Sequence, residues 1–293
     1  MTEAPERSES TLFNWRFQIL QFLKITRYVS FYVDNVIFVG FPPKQIDKPM
    51  EPNERPANSK NSKSNLEINK SSGASLLITI AIDKDSWIRN YIEFFIEDLF
   101  EKGHTVHTVY QASDLKNGDL VFFLGFQEIV HPEILKLNKH NLVVHESALP
   151  EGKGWSPLSW QILEGRKEIP ITLFEAVDKV DAGPIYLQNI MKFSGHELID
   201  ELRAIQGKTT IQMCSQFIDQ YPTILKTKKE QIGSESFYSR RNPKDSELNT
   251  NKTIVEQFDL FRIVDNDRYP AYFDHMGFRY KIKIEKDKKK FNY

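Results

Sequence analysis

Two side chains in this sequence combine acid–base capacity with a place from which to use it, His145 and Asp181. His145 ends the apolar run NLVVHE (141–146) and opens the loop ESALPEGKGWSP. In an open parallel sheet, ligands bind beyond the carboxyl ends of the strands, where the loops diverge. The glycines and prolines of that loop let backbone approach a ligand closely. An imidazole titrates near neutrality, so it can both take and give a proton. Asp181 lies in the turn DKVDAG, where a carboxylate could orient an imidazole and stabilise its cation. Taken singly, a satisfied strand-end histidine and a turn-forming aspartate explain the same residues, and spacing leaves both readings open. Cys214, in the apolar helix-like stretch TIQMCSQFI, reads as core. His104, His107 and His140 lack metal-ligand spacing, so no metal is expected. The adjacent Arg240 and Arg241 suit either a diphosphate clamp or simple solvation.

The elements that must position these residues alternate. LLITIAI (76–82) is a continuous apolar run, as expected for a strand buried on both faces. A helix follows, with Asp85 or Ser86 as its cap, Ile88, Ile92, Phe95, Ile96 and Leu99 at helical spacing, and Gly103 as its stop. TVHTVY (105–110) and LVFFLG (120–125) read as strands, HPEILKL (131–137) as a short helix and NLVVHE as a fourth strand. A further helix starts at Ser156 and Pro157 and stops at Gly165. ITLFEAV (171–177) and PIYLQNIM (184–191) predict a hairpin on the sheet's edge, and a long helix covers about 197–221. The tail, with FDLFRIVDN, AYF and FRYKIKI, suits a small β-rich domain. The fold class is therefore α/β, a doubly wound, mainly parallel sheet with a small β-rich C-terminal domain.

Composition bounds the partners. The 39 basic and 40 acidic residues leave a net charge of −1, whereas nucleic-acid binders carry a basic excess, so no nucleic acid is expected. One cysteine excludes an internal disulfide and suits a reducing, cytoplasmic location. The polar first ten residues show no secretory signal. Residues 12–41 are apolar and aromatic, but Arg16, Lys24, Arg27 and Asp34 interrupt them. No run reaches the ~18–20 residues of a transmembrane segment. A peripheral amphipathic helix and a partner-docking arm are the options there. Residues 42–75, rich in Pro, Asn, Ser and Lys, read as a disordered linker. The expected domains are thus an extension of unknown role (1–41), that linker (42–75), a catalytic domain (76–230) and a small C-terminal domain with a basic tail (231–293).

NLVVHESALPEGKGWSPLSWQILEG (141–165) followed by FEAVDKVDAGPIY (174–186) resembles the signature of the folate-dependent formyltransferases. His145, Ser147, Leu149, Pro150, Gly154, Pro157, Trp160, Gly165, Asp181 and Gly183 match that pattern in order. LVFFLGFQEIVHPEIL (120–135) matches the strand, loop and helix that hold folate in the family, and the likeness covers roughly 76–225. SFYSRRNPKDSELN (236–249) and NDRYPAYF (266–273) are similar to the C-terminal part of enzymes that formylate nucleotide-linked amino sugars, including those for pseudaminic acid precursors.

The resemblance implies a Rossmann-like enzyme that moves a formyl group from 10-formyltetrahydrofolate, as co-substrate and without a metal, to the amine of a nucleotide-linked deoxyamino sugar for polysaccharide biosynthesis. It implies His145 as general base and proton shuttle, with Asp181 orienting it. Leu124, Gly125, Phe126, Ile129, Ser147, Leu149 and Pro150 would face the folate; Lys153, Gly154, Trp155, Arg240 and Arg241 would face the acceptor. A homodimer is left open.

The chain departs from the pattern in one place that matters. Where the family has an asparagine two residues before the histidine, to stabilise a developing oxyanion, this chain has Val143. Asn141 shares its strand face but lies ~13 Å from His145 by strand rise. The Ser147 hydroxyl, a backbone amide of 146–150 or Gln161 are the replacements the sequence offers. Lys153 stands where the family often has arginine, which loses the planar fork, and Glu151 replaces a commonly basic residue. The competing readings are another acceptor (an aminoacyl-tRNA or ribonucleotide amine), hydrolysis of formyl-folate, or a binding module that has lost catalysis.

Overall fold

The computed structural model describes residues 29–33, 36–40 and 74–287, divided between two units, Met1–Asn69 and Lys70–Tyr293. In the first, β1 (Val29–Val33) and β2 (Val36–Gly40) pair antiparallel, with Val29 opposite Gly40. Over those residues the backbone is extended; residues 12–28 of the segment for which a helix was an option lie outside the described residues. The expected linker lies outside the described residues except at 74–75.

The second unit is built on a six-stranded sheet. β3 (Leu77–Ala81) is buried on both faces, with Ile78 and Ile80 sealed from solvent. α1 (Arg89–Glu101) lays Ile92, Phe95, Ile96 and Leu99 on the core. Neither Asp85 nor Ser86 caps α1. Its N-cap is Ile88, without a side-chain bond, because residues 83–86 form a separate turn in which the Ser86 amide donates to the Asp83 carbonyl. Gly103, at φ +85°, ends the helix as expected, and the His104 amide reaches back to Leu99. β4 (Thr105–Val109), β5 (Gly118–Phe123), α2 (Pro132–Leu135) and β6 (Asn138–His145) follow.

Next come the two-residue β7 (Lys153–Gly154), α3 (Pro157–Leu163), the hairpin of β8 (Glu168–Glu175) with β9 (Ile185–Lys192), and α4 (Ile199–Asp219). The strand order is β4-β3-β5-β6-β8-β9: the first four run parallel, and the hairpin adds two antiparallel strands at the edge. Phe95, Phe122, Phe217 and Tyr186 meet edge to face between sheet and helices. Cys214 is wholly buried in this core, and burial pushes its thiol up.

The C-terminal part carries β10 (Phe237–Tyr238), α5 (Phe258–Ile263) and the hairpin of β11 (Ala271–His275) with β12 (Phe278–Ile282). FDLFRI is therefore a helix rather than a strand. Its apolar residues sit at helical spacing, with Phe261 packing on Leu248, Val264 and Ala271. Among the described residues, no helix is long and apolar enough to cross a membrane, and no group of acidic, histidine or cysteine side chains could hold a metal.

Candidate functional site

The parallel strands end at one rim, and a cavity of about 860 Å³ opens there. The loop after β5 supplies Leu124, Gly125, Phe126 and Ile129; β6 supplies Val143, Val144 and His145, and Glu146 follows it; the turn before β9 supplies Val180 and Asp181. Gly154, Trp155, Arg240 and Arg241 line it as well, with Arg203 and Gln206 of α4. Ser147, Leu149, Pro150 and Lys153 are not on its wall. Leu149 packs with Phe174 and Ile185, and Lys153, only 1% exposed, pairs with Glu235 at 2.7 Å. Two lysines, Lys153 and Lys179, hold the Glu235 carboxyl down at about 2.

His145 is buried, and its Nε2 lies 2.8 Å from the Gly152 carbonyl oxygen. A carbonyl only accepts, so Nε2 carries the hydrogen and Nδ1 keeps the basic lone pair of the neutral ring. Asp181 does not meet the imidazole directly. Its Oδ2 accepts from the Gly154 amide at 2.9 Å, and its carbonyl accepts from Gln231 at 3.0 Å. The backbone at Asp181 is left-handed, φ +52°. Asp is among the few side chains that tolerate this region, because its carboxylate bonds locally. Two residues on, a Cβ at Gly183 would meet the Glu175 carbonyl oxygen at 1.8 Å, so the turn passes closer to β8 than any side chain permits.

β7 and β10 clamp the loop between His145 and α3. Lys153 and Gly154 pair with Phe237 and Tyr238, and Gly154 is at φ +96° with its would-be Cβ 2.4 Å from the Tyr238 carbonyl oxygen. Gly154→Ala is therefore expected to destabilise the fold by ~1–3 kcal/mol through strain and steric overlap. Denaturant unfolding should show a lower midpoint at unchanged slope. An unshifted midpoint would refute the clamp. The same pairing presents Arg240, whose guanidinium lies 4.7 Å from the Trp155 ring centroid and donates to Gln127. Arg241 donates to the Asp245 carbonyl; desolvation lowers its guanidinium's basicity, and its Nε finds no partner among the described residues.

The proposed substitutes for the missing amide fare unequally. Val143 does line the cavity, beside Phe174. Gln161 spends its Nε2 on the carbonyls of Glu146 and Pro157. Asn141 donates to the Leu135 carbonyl. The Ser147 hydroxyl is buried off the cavity wall.

Glu146 and Gln206 were not among the sequence candidates. Glu146 follows His145 and accepts from Gln206 Nε2 at 2.6 Å. Desolvation raises its carboxyl, aided by the negative charge of Asp181 and opposed by His145 and Gln206. The available signal was the helical stripe Ile199, Arg203, Gln206 and Thr210, all of which line the cavity.

Residues 90–214 match the family model described as formyl transferase. Among curated proteins, the chain is 29% identical over 175 residues to the bifunctional polymyxin resistance protein ArnA of Wigglesworthia glossinidia brevipalpis, covering 58% of this chain and 26% of that protein. It is also 29% identical over 170 residues to a methionyl-tRNA formyltransferase of Lactobacillus johnsonii, covering 56% and 52%. The chain thus spans about half or less of the curated relatives it matches. A solved sugar N-formyltransferase from Shewanella shares the fold, with a TM-score of 0.57, 13% identity, and coverage of 73% of this chain and 98% of that one.

Proposed function

We propose, from a chain that carries a formyl transferase domain over residues 90–214, that the protein transfers a formyl group from 10-formyltetrahydrofolate to the amine of a nucleotide-linked deoxyamino sugar. The observation that carries this reading is one cavity that brings both apolar and cationic groups around His145. Leu124, Phe126, Ile129, Val143 and Val180 line it together with Trp155, Arg240 and Arg241. Ile129 and Val180 are 67% and 58% exposed, apolar groups left open on a cavity wall, which suits the flat apolar rings of a folate. When bound, the folate supplies the activated formyl carbon. His145 Nδ1 takes the proton of the attacking amine and returns it to the departing nitrogen. Asp181, held by the Gly154 amide, puts a negative charge in the same cavity and acts on the imidazole across it or through a water. The arginine wall would receive a diphosphate, and the same reading places the protein in the cytoplasm.

Likeness to a methionyl-tRNA formyltransferase favours a second acceptor, an aminoacyl-tRNA. The net charge of −1 argues against a broad polyanion surface. Incubation with 10-formyltetrahydrofolate, uridine- and thymidine-diphosphate amino sugars, and methionyl-tRNA separates the two by product mass. A formylated nucleotide sugar is expected. Formylmethionyl-tRNA would transfer the proposal to the second acceptor, turnover without an acceptor would make the protein a hydrolase, and saturable binding without turnover a binding module.

A further inference from the structure

We propose that the Glu146 side chain is the hydrogen-bond donor that steadies the negative charge developing on the formyl oxygen. This rests on the transfer reading above. Such a charge needs a donor placed in a water-poor site beside the base. Of the side chains considered for that task, Val143 has no donor, and Gln161 and Asn141 give their amide hydrogens to backbone carbonyls. Ser147 is off the cavity wall. Glu146 is on it, next to His145 in the chain.

A carboxyl donates only when protonated, and the surroundings of Glu146 push it toward that form. Among the described residues no lysine or arginine makes an ion pair with it. Arg203, one turn before Gln206 on α4, is taken by Asp265 at 2.9 Å. From the turn before β9, Asp181 adds a like charge to the cavity; from β6, His145 opposes it, and Lys84, Arg203, Arg240, Arg241 and Arg268 also line the cavity. Desolvation is the largest influence and raises the carboxyl. Gln206 Nε2 donates to Oε1, which marks Oε1 as the acceptor, so a protonated Glu146 carries its hydrogen on Oε2. A carboxylic acid kept neutral in an apolar site is a known way to supply such a donor. In the step itself the amine nitrogen bonds to the formyl carbon while the carbonyl π pair moves to oxygen. Glu146 keeps its proton and shares it as a hydrogen bond. The amine proton goes to His145 Nδ1, the oxygen pair re-forms the double bond, and the bond to the folate nitrogen breaks as that nitrogen takes the proton.

Glutamine and alanine separate a donor from a base. Glu146→Gln keeps an N–H donor and an acceptor for Gln206, so its kcat should stay within ~10-fold of the parent. Glu146→Ala should lose ~10²–10³-fold. The parent rate should fall at alkaline pH as the Glu146 proton is lost, and Glu146→Gln should lack that limb. Glutamine as damaging as alanine, or alanine without effect, overturns the proposal. Infrared difference spectroscopy of the free protein needs no substrate: a protonated-carboxyl band at pH 7, absent in Glu146→Gln, is expected, and its absence in the parent overturns the inference. A parent that forms no formylated amine but shows the band would instead sink the transfer reading.

Discussion

Replacing His145 with glutamine is expected to lower formyl transfer by ~10²–10⁴-fold, the usual contribution of a positioned acid–base group, while the fold survives. The present ring donates from Nε2 to the Gly152 carbonyl and leaves Nδ1 basic. A glutamine amide can make the same donation, so the loop 146–154 keeps its anchor. It has no basic nitrogen, so the proton of the attacking amine has nowhere to go. Single-turnover rates with saturating acceptor would measure the loss. Thermal unfolding and binding of tetrahydrofolate, both expected to stay near the parent, would show that the site is intact. A variant within a few-fold of the parent rate would remove His145 from the chemistry. A variant that loses tetrahydrofolate binding would make its role structural.

The largest effect on stability is expected at Arg262, which does not line the cavity. This α5 side chain is 2% exposed and donates to the Glu197 carboxylate at 3.0 Å, to the Glu197 carbonyl, and to Asp259 at 2.8 Å. It therefore ties the C-terminal part to the loop that leads into α4. Removing one member of a buried ion pair strands the other charge, at a cost of ~3–5 kcal/mol. Arg262→Ala should lose that much in denaturant unfolding. The double variant Arg262→Met, Glu197→Gln should lose less than the sum, by ~0.5–3 kcal/mol, because no buried charge is left unpaired, Asp259 being 40% exposed. Additive losses would show that the pair is uncoupled.

Glu197 also sets a pH window. Burial by itself raises its carboxyl, but the amides of Ser194 and Gly195 outweigh that and hold it at about 2. A depressed carboxyl contributes stability that is fully present above its ordinary value of 4.5 and is lost as pH falls toward 2. Acid unfolding of the parent should draw part of its steepness from this range, and Glu197→Gln should flatten it.

The parallel sheet was legible because its strands advertise themselves. LLITIAI and LVFFLG are apolar without interruption, which only burial on two faces explains, and β3 and β5 occupy them. The β8–β9 hairpin was legible from two apolar runs around a turn. The N-terminus of α1 was not, because Asp85 and Ser86 carry cap-forming side chains but belong to a turn that the backbone makes first. FDLFRI misled in the tail, where a short apolar run fits either period until its packing partners are known.

At the site, sequence alone marked the loop after β6 and the turn before β9 as places for chemistry, through residue type and order. His145, Asp181, Gly154, Trp155, Arg240 and Arg241 then meet around one cavity. Only tertiary structure could show that Ser147, Leu149, Pro150 and Lys153 stand off that wall, and that Asp181 spends a carboxylate oxygen on the Gly154 amide rather than on the imidazole. Only it could bring Gln206 to Glu146 across 60 residues. A pattern along the chain records which groups are available. Whether a carboxyl is solvated, paired or stripped of water depends on what the fold packs against it, and that decides what proton it carries.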